Sequence, residues 1–171
     1  NGRATHFIHP YTAKLLMHIP HLFLSNDILS KEDDLILDPF CGSGTVLLES
    51  LLSKRNALGI DINPLATLVS QVKTTNYSIE TLKSFRNRFT QVNRNDTIIS
   101  SPDVVNLHYW YKESNIKDLQ SIWQEILKIE QSEIQNFFKV CFSVCARKFS
   151  YADPHVSVPV KINLEKQNKS Y

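Results

Sequence analysis

Apolar and polar positions divide the chain into two kinds of territory. In residues 35–62 a short apolar block, Leu35, Ile36 and Leu37, ends on Asp38. The pattern breaks at Gly42 and Gly44, resumes at helical spacing from Thr45, and gives a second block (Ala57, Leu58, Gly59, Ile60) that closes on Asp61. This reads as strand, glycine turn, helix, strand, the repeat of an α/β fold. Upstream, Leu15, Leu16, Ile19, Leu22 and Phe23 predict an amphipathic helix interrupted by Pro20, lying beside the first strand. Downstream, Pro64 opens a helix through Leu65, Leu68, Val69 and Val72, because proline is at home in a first turn.

From Ser78 the character changes. A helix opens there carrying Lys83, Arg86 and Arg88; residues 90–101 are polar and irregular; and helices are expected over 115–130 and 132–149. Leu119, Ile122, Trp123, Ile126 and Leu127 form the apolar stripe of the first of these two, and Ile134, Phe137, Phe138, Cys141 and Val144 that of the second. Strand character reappears only at 104–107 and 156–162. The expected division is therefore 1–77, a helical segment 78–150, and 151–171 as the start of a remaining half or a tail.

The strand, glycine turn and helix suggest a nucleoside site. Glycines let backbone approach a ligand, and the helix behind them directs free N–H groups toward electron-rich atoms. Asp38 falls at the carboxyl end of its strand, where open α/β sheets bind ligands, and Asp61 is placed to accept ribose hydroxyls. Gly42-Ser43-Gly44 is not a GxGxxG fingerprint and no GxxxxGK[ST] loop is present, which favours an adenosine without phosphates and disfavours a nicotinamide oxidoreductase.

Asp38-Pro39-Phe40-Cys41-Gly42-Ser43-Gly44-Thr45, followed by Gly59-Ile60-Asp61-Ile62-Asn63-Pro64-Leu65-Ala66, resembles motifs I and II of the S-adenosylmethionine-dependent methyltransferases that modify exocyclic amines of nucleic-acid bases. His9-Pro10-Tyr11-Thr12-Ala13-Lys14 resembles the HPYPAK form of motif X in one group of DNA amino-methyltransferases, and the stretches 106–111 and 149–154 resemble non-catalytic parts of the same group. The resemblance implies an α/β, Rossmann-like class I methyltransferase core, partial here, with an added α-helical segment. It implies S-adenosylmethionine as cofactor, DNA as partner, and methyl transfer to an exocyclic amine of cytosine or adenine in a restriction-modification or related bacterial system. On this resemblance Asp38, Phe40, Gly42, Ser43, Gly44 and Thr45 shape the cofactor loop, Asp61 and Ile62 hold the nucleoside, and Thr12 and Lys14 close the methionine end.

Composition adds bounds. A chain of 171 residues, 42% hydrophobic and 21% charged, is one domain's worth of globular protein. Its net charge of +2 does not announce nucleic acid, so the DNA expectation rests on motifs. Three cysteines, no long apolar span and no secretory signal imply a reducing cytoplasm and no membrane segment. A bacterial or archaeal setting is what the resemblance implies. Cys141 and Cys145 stand one helical turn apart and are read as buried thiols rather than metal ligands; Cys41 is read as small filler. His9 is read as a turn residue, Lys14 as solvated unless it meets a carboxylate, and Phe40 as core packing or a wall of the cofactor site. The basic residues of the helix from Ser78 are read as a solvated face, and His108, Tyr109, Trp110 and Tyr111 as packing rather than a base-stacking platform.

The transfer itself needs acceptors for the amine hydrogens, a task that falls in this superfamily to motif IV: Asp, Asn or Ser, then Pro-Pro and an aromatic residue, gripping a flipped base. Its nearest match, Asp153-Pro154-His155-Val156, lacks the second proline and the aromatic residue. Motif IV is therefore expected beyond Tyr171 or on a second chain, no catalytic residue is assigned, and the isolated chain is expected to bind cofactor at best. Two alternatives stand beside this reading: an RNA guanine-amine methyltransferase, and a non-catalytic subunit that retains the fold.

Overall fold

The computed structural model describes residues 4–89, 105–153, 156 and 159–162, apart from the side chain of Arg88. It divides into two compact units, Asn1–Tyr77 and Ser78–Tyr171.

The first unit runs α1 (His18–Leu24), β1 (Leu35–Asp38), α2 (Thr45–Leu52), β2 (Asn56–Gly59) and α3 (Pro64–Thr74). β1 and β2 pair in parallel, with Leu35 opposite Asn56 and Asp38 opposite Gly59. Parallel strands need a crossover between them, and α2 is that crossover. Successive side chains point to opposite sheet faces. Ile36 and Ala57 are half-buried, whereas Leu35, Leu37 and Leu58 are exposed. Buried Leu24, Leu48, Ala66, Val69 and Val72 form the apolar core, with α1 and α3 both packed on α2. The fold is mixed α/β with a small parallel sheet, two-stranded among the described residues.

Local chemistry explains the boundaries. α1 begins only at His18, later than the apolar spacing suggests, so Leu15 and Leu16 lie outside it. Pro20 then sits in the first turn, where a missing N–H has no helical partner to lose, and it no longer interrupts anything. α3 starts as expected: Pro64 occupies its first turn, and the Asn63 side chain accepts a hydrogen bond from the Leu65 N–H at 2.9 Å. The loop before β1 is anchored by Arg55, whose guanidinium donates to Ser30 Oγ (3.1 Å), to the Ser30 carbonyl (2.6 Å), to Asp27 (3.0 Å) and to the Ser53 carbonyl.

The second unit is helical: α4 (Ile79–Phe89), α5 (Leu107–Trp110), α6 (Glu113–Leu127) and α7 (Ser132–Lys148). Ile116, Ile126, Ile129, Ile134, Phe138 and Val140 are buried. Phe89 lies 4.8 Å and Phe85 6.4 Å from Phe138, centroid to centroid, while Trp123 stands 4.9 Å from Phe142. The strand expected near 104–107 is replaced by a turn at Val105 and Asn106, with Asn106 left-handed (φ 59°), leading into α5. The strand expected at 156–162 is, among the described residues, a single antiparallel bridge between Ala152 and Lys161. No helix is long and apolar enough to cross a membrane among the described residues.

Candidate functional site

The loop between β1 and α2 is fixed by its two glycines. Gly42 (φ 49°) and Gly44 (φ 70°) are both left-handed, a conformation that side chains strain. Gly44 has a second constraint, since a Cβ there would stand 2.6 Å from Ser70 Cβ on α3. Gly59 permits the same closeness behind the loop, where a Cβ would meet Leu47 Cδ2 at 2.7 Å and Cys41 Cβ at 2.9 Å. In front of Gly42 the nearest atom to such a Cβ is Tyr11 Cε1, at 4.0 Å. The rear of the loop is thus packed shut and its front is open. Gly44 caps α2 with backbone alone, and among the described residues no side-chain hydrogen bond caps that helix.

Asp61 holds the loop from the neighbouring strand. Its Oδ2 accepts the Gly42 N–H at 2.8 Å and its Oδ1 accepts the Asn63 N–H at 2.8 Å. A carboxylate has about four acceptor sites, so each oxygen keeps roughly one free for a ligand hydroxyl. Asp38 plays a smaller part, with Oδ1 accepting the Phe40 N–H at 3.2 Å, while the Cys41 N–H donates to the Ile60 carbonyl at 2.9 Å. The two strand-end acids therefore orient one glycine loop.

The segment 9–14 is drawn to the same place. Asn63 Nδ2 donates to the Tyr11 hydroxyl at 3.0 Å, linking it to the turn after β2. Ala13 is left-handed (φ 53°), which turns the chain so that the Lys14 ammonium donates back to the carbonyls of His6, at 3.2 Å, and His9. Lys14 is half-buried and desolvation lowers its pKa, whereas Thr12 is exposed. His9 is buried, its ring centroid 6.4 Å from that of Tyr11. On α2, fully buried Glu49 accepts from His6 at 2.7 Å and lies 3.3 Å from His21 Nδ1, tying both the N-terminal segment and α1 to this helix.

Of the expected site residues, Phe40 and Ile62 are fully out in solvent, with relative exposures of 87% and 101%. Core packing of Phe40 is thereby overturned. Ser43 and Thr45 are instead buried, and Ser43 Oγ lies 3.5 Å from the ammonium of Lys73, itself 2% exposed. Desolvation, followed by repulsion from Lys14, lowers the Lys73 pKa to about 8. Sequence reasoning missed Tyr11, Asn63, Ser70 and Lys73 as parts of this cluster. Only the motif neighbourhood of Tyr11 and Asn63 gave a signal; Ser70 and Lys73 gave none.

Other expectations fare differently. Cys41 is buried, with its pKa raised chiefly by desolvation, but Cys145 is exposed and Cys141 half-buried, so they are not a pair of buried thiols. The 108–111 aromatic residues are not core: Tyr109 is half-exposed, edge-on to Trp110 at 5.1 Å and covered by the Lys161 ammonium 4.0 Å from its centroid. Asp153 donates its N–H to the Val160 carbonyl at 2.7 Å. Pro154 and His155, with 90–104, the Arg88 side chain and 163–171, lie outside the described residues, as does the motif IV reading they would test.

Residues 27–71 match a family model described as DNA methylase. Over 156 residues the chain is 30% identical to a Type II methyltransferase, M.MvaI, of Kocuria varians, an alignment covering 85% of this chain and 34% of that protein. Over 78 residues it is 40% identical to the Type II methyltransferase M.MjaII of Methanocaldococcus jannaschii, covering 46% of this chain and 14% of that one. The chain thus spans about a third and about a seventh of the length of these two relatives. No solved structure matches it. The matched 27–71 span contains both strands, the glycine loop and Asp61, so the similarity to DNA methylases covers the part of the chain where the geometry converges.

Proposed function

We propose that residues 9–73 form the S-adenosylmethionine site of a DNA amino-methyltransferase that methylates an exocyclic amine of cytosine or adenine. The observation that carries this is the Asp61 carboxylate, bonded to the Gly42 N–H at 2.8 Å with acceptor capacity left over at the open front of the loop. Its remaining lone pairs suit the two hydroxyls of a ribose, and exposed Phe40 and Ile62 are apolar surfaces for a purine ring. No phosphate loop is present, which suits a nucleoside joined to an amino acid. When bound, the cofactor supplies an electrophilic methyl group on a sulfonium. The chain's part is to hold it: Gly42, Ser43, Gly44 and Thr45 present backbone at the loop, Asp38 orients Phe40, and Thr12 and Lys14 lie on the segment joined to the loop through Tyr11 and Asn63.

The family match described as DNA methylase and the two Type II methyltransferases support DNA over RNA as substrate. Both relatives are longer than this chain, and neither match supports a second chain as carrier of the base-gripping motif. We assign the amine-activating step to none of the described residues. The test is calorimetric titration of the chain with S-adenosylmethionine, with the Gly42→Val variant as control. Binding to the wild type and none to the variant is expected; equal binding to both places the ligand elsewhere, and none to either overturns the reading. Incubation with DNA and labelled cofactor, followed by nucleoside analysis, reads the transfer itself.

A further inference from the structure

Lys73 is the most unusual charge in the first unit. It stands near the end of α3, 2% exposed, and reaches Ser43 Oγ at 3.5 Å, the outer limit of a hydrogen bond. Among the described residues it has no carboxylate within ion-pair distance, and the nearby charge that acts on it is another cation, Lys14. Buried charges are ordinarily paired, because an isolated ammonium loses its hydration without compensation. The unit does compensate its other buried ions: Glu49 meets two histidines and Arg55 meets Asp27 and Ser30. Lys73 is the exception, and it lies against the loop whose helix N-terminus no side chain caps.

We infer that Lys73, with Lys14 and Ser43, forms an anion site for a carboxylate, and that its ligand is the α-carboxylate of the amino-acid end of the cofactor. This rests on the proposed cofactor reading and adds a residue to it. Lys14 spends two of its three donors on the carbonyls of His6 and His9, so one remains. Lys73 spends one weakly on Ser43 and keeps two. An arriving carboxylate accepts a hydrogen bond from a remaining N–H of each ammonium, and its negative charge offsets the repulsion between them. The site is charged before the ligand enters, and because Lys73 is 2% and Ser43 4% exposed, the ligand reaches them only as the cover over Lys73 shifts. Lowered toward about 8, the Lys73 pKa still leaves the ammonium charged at neutral pH.

The experiment compares wild type, Lys73→Met and Lys73→Arg in calorimetric titrations with two probes: S-adenosylhomocysteine, which carries the carboxylate, and methylthioadenosine, which has the nucleoside and sulfur but no amino-acid end. For Lys73→Met the affinity for S-adenosylhomocysteine falls about 10- to 100-fold, the loss expected for a hydrogen bond between charged groups. Its affinity for methylthioadenosine stays within about twofold, and its unliganded thermal midpoint at neutral pH equals or exceeds that of wild type, since a buried uncompensated charge has gone. Lys73→Arg retains most of the discrimination between the probes. Equal losses for both probes with a lowered midpoint make Lys73 a packing residue and overturn the inference. Unchanged affinity for both probes places the carboxylate elsewhere and does the same. If the wild type binds neither probe, the cofactor reading falls and this inference falls with it.

Discussion

The two units bury different things. Around the glycine loop of Asn1–Tyr77 the interior holds His6, Ser43, Thr45, Glu49, Ser50, Arg55, Ser70 and Lys73 beside a small set of aliphatics. In Ser78–Tyr171 the only buried polar residue among those described is Ser121, and the interior is isoleucine, valine and phenylalanine on facing helices. Burying polar groups is unfavourable unless each is placed against a partner. A unit that buries this many polar groups is organised to hold groups at fixed positions, as a binding site requires. One that buries almost only apolar surface is organised to pack. All the candidate site residues lie in the first unit.

The largest expected effect tests the packing side. Phe138→Ala removes the ring on which Phe85 and Phe89 converge, and large-to-small core changes of this kind cost about 3–5 kcal/mol. Urea unfolding followed by tryptophan fluorescence should detect it, since both tryptophans, Trp110 and Trp123, lie in the second unit. Affinity for S-adenosylhomocysteine should hold within about twofold, because every proposed ligand-binding residue lies between 12 and 73; a loss comparable to that of a loop variant would break the contrast.

Gly44→Ala comes next. The left-handed φ of 70° and the 2.6 Å approach to Ser70 together put the cost at about 2–4 kcal/mol. Unlike Phe138→Ala, it should abolish ligand binding as well as lower the thermal midpoint. A variant that binds normally would show that the loop tolerates movement.

A smaller effect concerns pH. Lys73 titrates near 8 in the fold against an ordinary value of 10.5. Below pH 8 folded and unfolded chains both hold the proton, and the fold carries the full cost of the buried ammonium. Between 8 and 10.5 the folded protein has released a proton that the unfolded chain still binds, so stability contributed by this group rises with pH. The unliganded wild type should therefore gain on Lys73→Met as pH rises from neutral to 10, measured as the difference between their thermal midpoints. A difference that stays flat would show that Lys73 is hydrated in the fold.

Phe40→Ala should change stability least, by under about 0.5 kcal/mol, because an 87% exposed ring loses little packing. The same change should weaken nucleoside binding several-fold. If it lowers stability and leaves binding alone, Phe40 is not a wall of the site.

Several of these features were legible in the residues. Strand, glycine turn and helix were readable from Leu35 to Thr45 because the constraint is local: an apolar block can end in an acid and turn through left-handed positions only with suitable residues, here Gly42 and Gly44. Pro64 marked the start of α3 for the same kind of reason. The elements read less well are those whose state depends on neighbours. Pro20 looked like a break until the helix was seen to start at His18, and 104–107 had strand composition but no partner strand among the described residues. Phe40 and Cys145 are apolar residue types that stand in solvent, a matter of which surfaces exist to receive them.

The sequence by itself determined the loop, the two strand-end acids and the order of elements around them, since backbone sterics and short-range hydrogen bonds act over a few residues. Only the tertiary structure decided that Asp61 reaches across 19 positions to the Gly42 N–H, that Asn63 meets Tyr11 across 52, and that the lysine near the end of α3 is buried against Ser43, 30 positions earlier. Those contacts depend on how strands pair and helices stack. That is settled by the burial of whole faces, which no local pattern encodes.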